Sequence, residues 1–203
     1  LREQLRRLGL DAELIGDPER PSVVAHARVA DAGDTLLVAS HLDTVPIDGM
    51  EIAPFDPRIA DGRVYGRGSC DTKSGMAALV AALERVLAQG TLRRNLILVG
   101  EADEELGSRG VNDVIAHLGS DPPEWVIATE PTELRVATRH KGIVHARLRA
   151  SGVACHSSDP GKGRSAVLAL CRSVLALEEL AAELAERPDP RFGPATLSVG
   201  RIG

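Results

Sequence analysis

Short Val- and Leu-rich runs alternate along this chain with stretches of helical periodicity. That alternation confines it to an α/β layer architecture, with a mixed, mainly parallel sheet flanked by helices. Val23–Ala30, Thr35–Ser40, Leu96–Gly100 and Trp125–Thr129 read as strands, the last two as buried ones. Between them, Lys73–Gln89 places Met76, Leu79, Val80, Leu83, Val86 and Leu87 at the i, i+3, i+4, i+7 spacing of a helix packed on a sheet, and Gly90 stops it. Ser108–Leu118 reads as another helix, and Leu1–Leu8 as a helix ended by Gly9. Ala32-Gly33-Asp34 reads as the turn between the first two strands, and 41–68, with Pro46, Pro54 and Pro57, as a long loop.

The pattern changes near residue 140. Val144, Ala146, Leu148 and Ala150 alternate with His145, Arg147 and Arg149, the signature of a strand with one polar face. A polar loop, a helix over Ser165–Arg187 with Val167, Leu170, Cys171 and Val174 on one face, and a final strand over Ala195–Ile202 follow. The reading is of two domains, 1–141 and 142–203, the second a partial α+β domain. The first helix reads as already under way and the last strand has no closing element, so a fragment truncated at its C-terminus is expected.

Composition removes several functions. With 29 acidic against 24 basic residues the formal net charge is -5, and one Trp, one Tyr and two Phe offer no stacking platform, so no nucleic-acid partner is expected. No apolar run approaches the roughly 20 residues of a bilayer span, so no membrane partner is expected either. Cys70, Cys155 and Cys171 are odd in number and widely spaced, which fits a reducing, cytoplasmic compartment.

An open α/β sheet exposes its strand ends as a crevice, and four polar groups sit at such ends. His41 and Asp43 follow the strand Thr35–Ser40, on one side of the chain by alternation, as a metal ligand and the carboxylate that orients it would be. Asp71 lies at the mouth of the Lys73–Gln89 helix, where it would also serve as an N-cap. Asp103-Glu104-Glu105 follows Leu96–Gly100; adjacent carboxylates repel unless cations are near, and adjacent side chains diverge, so one can ligate while another handles a water. Glu130 follows Trp125–Ala128. Oxygen and nitrogen donors of this mix suit Zn²⁺, with Mn²⁺ or Co²⁺ as alternatives, and three carboxylates with one imidazole exceed the needs of a single ion. Two divalent ions roughly 3.5–4 Å apart are the natural occupants. The glycines of 66–75 match neither GxGxxG nor GxxxxGK[ST], which argues against a phosphate loop.

The ordered motifs His41-Leu42-Asp43-Thr44-Val45-Pro46, Gly66-Arg67-Gly68-Ser69-Cys70-Asp71-Thr72-Lys73, Asp103-Glu104-Glu105-Leu106-Gly107, Glu130-Pro131-Thr132 and His156-Ser157-Ser158 resemble the co-catalytic zinc amidohydrolases. That family includes acetylornithine deacetylase, succinyl-diaminopimelate desuccinylase, aminoacylase and glutamate carboxypeptidase. The resemblance implies a zinc-peptidase-like catalytic domain and a ferredoxin-like lid and dimerisation domain, hence a homodimer. It implies hydrolysis of an amide bond in an N-acyl amino acid or small peptide. His41 would bind the first metal, with Asp43 orienting it; Asp71 would bridge both; Glu105 would bind the second and Glu130 the first. Glu104 would be the general base, and His156 would stabilise the tetrahedral intermediate from across a dimer. Arg164, in Gly163-Arg164-Ser165-Ala166, departs from the family's Gly-x-Asn-Ala lid contact to substrate, and Ser74 stands where the family has Gly. The family's last histidine ligand has no counterpart after His156, so this chain alone is expected to be inactive.

Two other readings compete. One is a noncatalytic ligand-binding or dimerisation module that retains the fold. The other is a cysteine hydrolase using Cys155 beside His156, disfavoured because adjacent residues on a strand point apart.

Overall fold

The computed structural model describes residues 1–120 and 122–202. The chain divides into two compact units, Leu1–Arg135 and Val136–Gly203.

The first unit is built on a five-stranded sheet. Its strands are β1 (Asp11–Ile15), β2 (Ser22–Ala27), β3 (Thr35–His41), β6 (Asn95–Glu101) and β7 (Trp125–Ala128), in the order β1-β2-β6-β3-β7. β3 runs parallel to β6 and β7, whereas β2 is antiparallel to both β1 and β6. The sheet is therefore mixed in equal measure and not mainly parallel. The N-terminal strands supply the antiparallel half, because β1 and β2 are joined by a short loop and no helix crosses over between them. Residues 32–34 do not join neighbouring strands, since β6 lies between β2 and β3.

Alternation along the strands sorts the core into two layers. Leu10, Ala12, Val23, Ala25, Val38, Leu96 and Leu98 pack with Leu5 of helix α1 (Arg2–Arg7) and with Met76, Val80 and Leu83 of helix α2 (Lys73–Ala88). Val24, Leu37, Ile97 and Val99 face the other way, onto Val114 of helix α3 (Arg109–Leu118). The sheet is thus flanked by helices on both faces, and each fully buried Leu or Val adds about 1.5–3 kcal/mol to the frame that carries the strand ends.

Several elements depart from the sequence expectation. β1 is a short strand with only Ala12 buried, a pattern too slight to read from periodicity. A hairpin, β4 (Arg58–Ala60) and β5 (Arg63–Tyr65), interrupts the expected long loop. It turns at Asp61-Gly62, both at positive φ, the conformation that a two-residue hairpin turn requires. β7 is not buried: Trp125, Val126 and Ile127 are 55%, 63% and 50% exposed, because it lies at the sheet edge with β3 as its one neighbour among the described residues.

From β3 the chain passes through α2 to β6 on one side, then through α3 to β7 on the other. Such a reversal leaves a crevice at the C-terminal ends of the parallel strands.

In the second unit, helix α4 (Ala166–Ala185) is capped by Ser165, whose Oγ accepts the Leu168 N–H at 3.1 Å. Leu170 and Val174 of the expected apolar face are half-buried, while Val167 and Cys171 are exposed. The expected strands at 143–150 and 195–202 do not form. Alternation marks a face, but a strand also needs a partner for its backbone, and among the described residues neither segment has one. Val144 accordingly stands 91% exposed. Among the described residues, no helix is long and apolar enough to cross a membrane.

Candidate metal centre

His41 ends β3 and is 3% exposed. Its Nδ1 lies 3.0 Å from the carbonyl oxygen of Asp43, which can only accept, so Nδ1 carries the ring proton. Nε2 lies 2.8 Å from Asp71 Oδ1. Burial favours the neutral ring, but the hydrogen bonds to Asp71 and Asp43 and the charge of Glu130 outweigh it and raise the His41 pKa above its ordinary value.

Asp71 is held by its neighbours in the chain. It is joined to Thr72 by a cis peptide bond. Thr72 is 1% exposed; its Oγ1 donates to the Thr129 carbonyl at the end of β7, and its own carbonyl accepts from Ser40 Oγ of β3 at 3.4 Å. These bonds tie the loop before α2 to two strand ends. The N-cap position of α2 falls to Thr72, which makes no side-chain cap, and the Asp71 carboxylate turns to His41. Ser74 is accommodated: it is exposed, and its Oγ donates to the Cys70 carbonyl at 3.2 Å. The tight position is the next one, since a Cβ on Gly75 would lie 2.6 Å from Thr129 Oγ1.

Glu104 and Glu105 are presented by the turn after β6. Asp103, at positive φ and 7% exposed, points away from them and pairs with Arg20 Nη1 at 3.0 Å. The Asp43 carboxylate accepts the backbone N–H groups of Glu104 at 3.1 Å and Glu105 at 3.0 Å. The orienting contact on His41 therefore comes from the Asp43 main chain, while the side chain, with Oδ1 3.5 Å from Nδ1, holds the acidic turn.

Donor atoms of His41, Asp71 and Glu105 all lie within 4.8 Å of one another. Glu130 is outside that set of three, but its carboxyl faces the same field: partial burial, then Asp71, Glu104 and Glu105, push its pKa up against the opposing pull of His41. Glu104 is raised by partial burial and by Glu105, Asp43 and Asp71, again against His41. Glu101, paired in register with His41, was not among the residues expected here. Burial and then Glu104 raise its pKa, and its Oε1 is buried without a hydrogen-bond partner. Its place at a strand end, like that of Glu130, was the signal that could have found it.

Among the described residues, none of Asp43, Asp71, Glu101, Glu104, Glu105 and Glu130 pairs with a lysine or arginine. The negative charge they concentrate around one imidazole is uncompensated by side chains. A mixed oxygen and nitrogen donor set with this excess charge fits divalent cations of the zinc class.

His156 and Arg164 lie in the second unit. His156 Nδ1 accepts the Ser158 backbone N–H at 3.2 Å and lies 2.7 Å from Ser158 Oγ, so the ring proton sits on Nε2, which is free to donate. Arg164 exchanges backbone hydrogen bonds with Val153, at 2.9 and 3.0 Å. Cys155 Sγ is directed at the Pro160 carbonyl at 4.0 Å while the neighbouring ring engages Ser158, which leaves no Cys–His couple.

Comparison with known proteins gives consistent matches. A family model described as peptidase family M20/M25/M40 matches residues 37–198. A probable carboxypeptidase of Aspergillus terreus is 36% identical over 199 residues, covering 92% of this chain and 44% of the relative. Acetylornithine deacetylase of Pasteurella multocida is 35% identical over 80% of this chain and 43% of its own length. Succinyl-diaminopimelate desuccinylase of Gluconacetobacter diazotrophicus is 32% identical over 98% of this chain and 54% of its own length. The chain spans about half the length of these curated relatives. Among solved structures, an M20 family metallo-carboxypeptidase from Sulfolobus solfataricus superposes with a TM-score of 0.57 at 31% identity, over 63% of this chain and 30% of that one. A tripeptidase of Staphylococcus aureus, 20% identical with a TM-score of 0.56, shares the fold over 92% of this chain and 48% of its own.

Proposed function

This chain belongs to peptidase family M20/M25/M40, and from that premise we propose that it forms the metal-binding part of a hydrolase that cleaves an amide bond in N-acyl amino acids or small peptides. The observation that carries the reading is the convergence of His41, Asp71 and Glu105 donors within 4.8 Å, with Glu104 and Glu130 facing the same charge.

In this reading His41 Nε2 and Glu130 would hold one divalent ion and Glu105 the other, with the Asp71 carboxylate available to both. When bound, such a pair polarises a carbonyl and lowers the pKa of water towards about 7. Glu104 takes the proton of the attacking water and returns it to the leaving amine. Partial burial and the charges of Glu105, Asp43 and Asp71 raise its pKa, the direction that favours taking up and returning a proton. Asp43 keeps the Glu104-Glu105 turn in place through two amide bonds, so that base and ligand stay in register. His156, reaching across a dimer, would donate its Nε2–H to the developing oxyanion, and Arg164 would contact the substrate. We assign these two roles, the ferredoxin-like character of the second unit (142–203) and a homodimer formed through it on the family resemblance. The domain division at 141 and the cytoplasmic location belong to the same proposal, the latter supported by the free Cys70, Cys155 and Cys171. The relatives named above are hydrolases, which favours an enzyme over a noncatalytic module.

The test is metal content and activity together. The hydrolase of which this chain is the metal-binding part, purified and loaded with zinc or cobalt, is offered N-acetyl amino acids, N-succinyl amino acids and dipeptides. Bound divalent metal with chelator-sensitive hydrolysis of one class is expected. Metal-free protein that hydrolyses none of them refutes the reading.

A further inference from the structure

A second convergence of donors lies towards the other end of the sheet. On β1 and β2, Asp11 pairs with His26 and Glu13 with Val24. Val24 belongs to the layer that faces α3, so by the period of two Glu13 and His26 face α3 as well. His117, in the last turn of α3, meets them from above. Its Nε2 lies 3.2 Å from Glu13 Oε1, and its ring centroid is 6.4 Å from that of His26. One donor atom from each of the three residues lies within 4.8 Å of the others. His26 pairs in register with Ile97, four residues before Glu101 on β6, which sets this cluster on the order of 13 Å along the sheet from the candidate metal centre.

We propose that Glu13, His26 and His117 form a separate binding site for a borderline divalent transition ion of the zinc class. A tetrahedral ion with bonds of 2.0–2.1 Å needs donors about 3.4 Å apart. The Glu13–His117 pair is already at 3.2 Å, and a His26 ring nitrogen within 4.8 Å of both donors would have to move closer to complete the set. Two imidazoles and one carboxylate select against Mg²⁺ and Ca²⁺, which prefer oxygen. An exposed ion pair between Glu13 and His117 accounts for two of the residues and contributes little. It does not account for His26, which is half-buried and whose ring makes no hydrogen bond among the described residues. A bound ion gives that ring a partner and staples the C-terminal turn of α3 to the β1–β2 edge. The remaining coordination positions would be filled by water. The site is independent of the catalytic reading, since none of its residues belongs to the His41 cluster.

The test is zinc titration of the metal-free 203-residue chain, followed by NMR of the imidazole ring signals and by equilibrium dialysis. The His26 and His117 signals are expected to move together, and the double variant His26→Asn, His117→Gln to bind about one equivalent less than the unaltered chain. Glu13→Gln, which preserves shape, keeps the fold in hand and is expected to weaken that equivalent by at least about tenfold. Ring signals that stay in place at millimolar zinc, or an unchanged number of equivalents and affinity in both variants, overturn the proposal.

Discussion

Asp43 Oδ2 accepts the backbone N–H of Glu105 at 3.0 Å, a bond that spans 62 positions of the chain and joins the end of β3 to the turn after β6. Oδ1 does the same for Glu104 at 3.1 Å. The strands are already neighbours; this carboxylate locks the loops beyond them. Asp43→Asn leaves one acceptor oxygen and sets an NH₂ group against an N–H, so one of the two bonds is lost. Metal affinity measured by chelator competition is expected to fall by about 10–100-fold with the fold retained. An unchanged affinity would remove Asp43 from the positioning role.

Glu104→Gln keeps the size of the side chain but cannot accept the proton of water. Bound metal should be unchanged, while kcat should drop by roughly 10²–10⁴. Full activity with normal metal content would falsify the assignment of the base.

Gly75 and Ser74 should differ in how well they tolerate substitution. Gly75→Ala brings a Cβ to 2.6 Å from Thr129 Oγ1 and is expected to cost about 1–3 kcal/mol through overpacking. Ser74→Gly changes an exposed side chain and should cost no more than about 1 kcal/mol of helix propensity. Thermal unfolding of the two variants decides; a larger loss from Ser74→Gly would contradict the packing.

The carboxyl groups of Glu101, Glu104 and Glu130 all have raised pKa values in the fold. A raised acid is protonated in the folded state at a pH where the unfolded chain has already lost the proton. Its contribution is therefore largest below the unfolded value, about 4.3, and is lost as pH rises through the folded one. Raised His41 has the same sign, its contribution fading as pH climbs past the imidazole range. Glu101→Gln isolates one of these groups without touching a proposed ligand. Denaturant unfolding of the metal-free variant should show stability near that of the unaltered chain at pH 4 and greater than it at pH 7. A variant less stable at pH 7 would show that the Glu101 charge is compensated.

Much of the frame was legible along the chain. The stripe Met76–Val80–Leu83 marked α2 because a helix that packs on a sheet must repeat its apolar side chains every 3.6 residues. The runs of β3 and β6 were legible because strands covered on both faces are apolar throughout. β1 and the β4–β5 hairpin were not, being short and mostly exposed; Asp61-Gly62, inside the stretch read as a loop, was the turn signal that could have found the hairpin. β7 was read as a strand with the wrong environment, because apolarity does not say whether a neighbour will cover it.

The sequence by itself determined which residues carry charge, imidazole and backbone freedom, and in what order, and therefore that His41, Asp71, Glu105 and Glu130 would stand at strand or helix ends. Which of them meet was decided only by the tertiary structure. Strand order brought His41, Asp71 and Glu105 within 4.8 Å, gave the Asp43 carboxylate two backbone amides to hold, and laid His117 over Glu13 and His26. The reason is physical: local pattern sets which face a side chain takes, whereas distance between remote residues depends on which strands pair, and pairing follows from burial summed over the whole sheet.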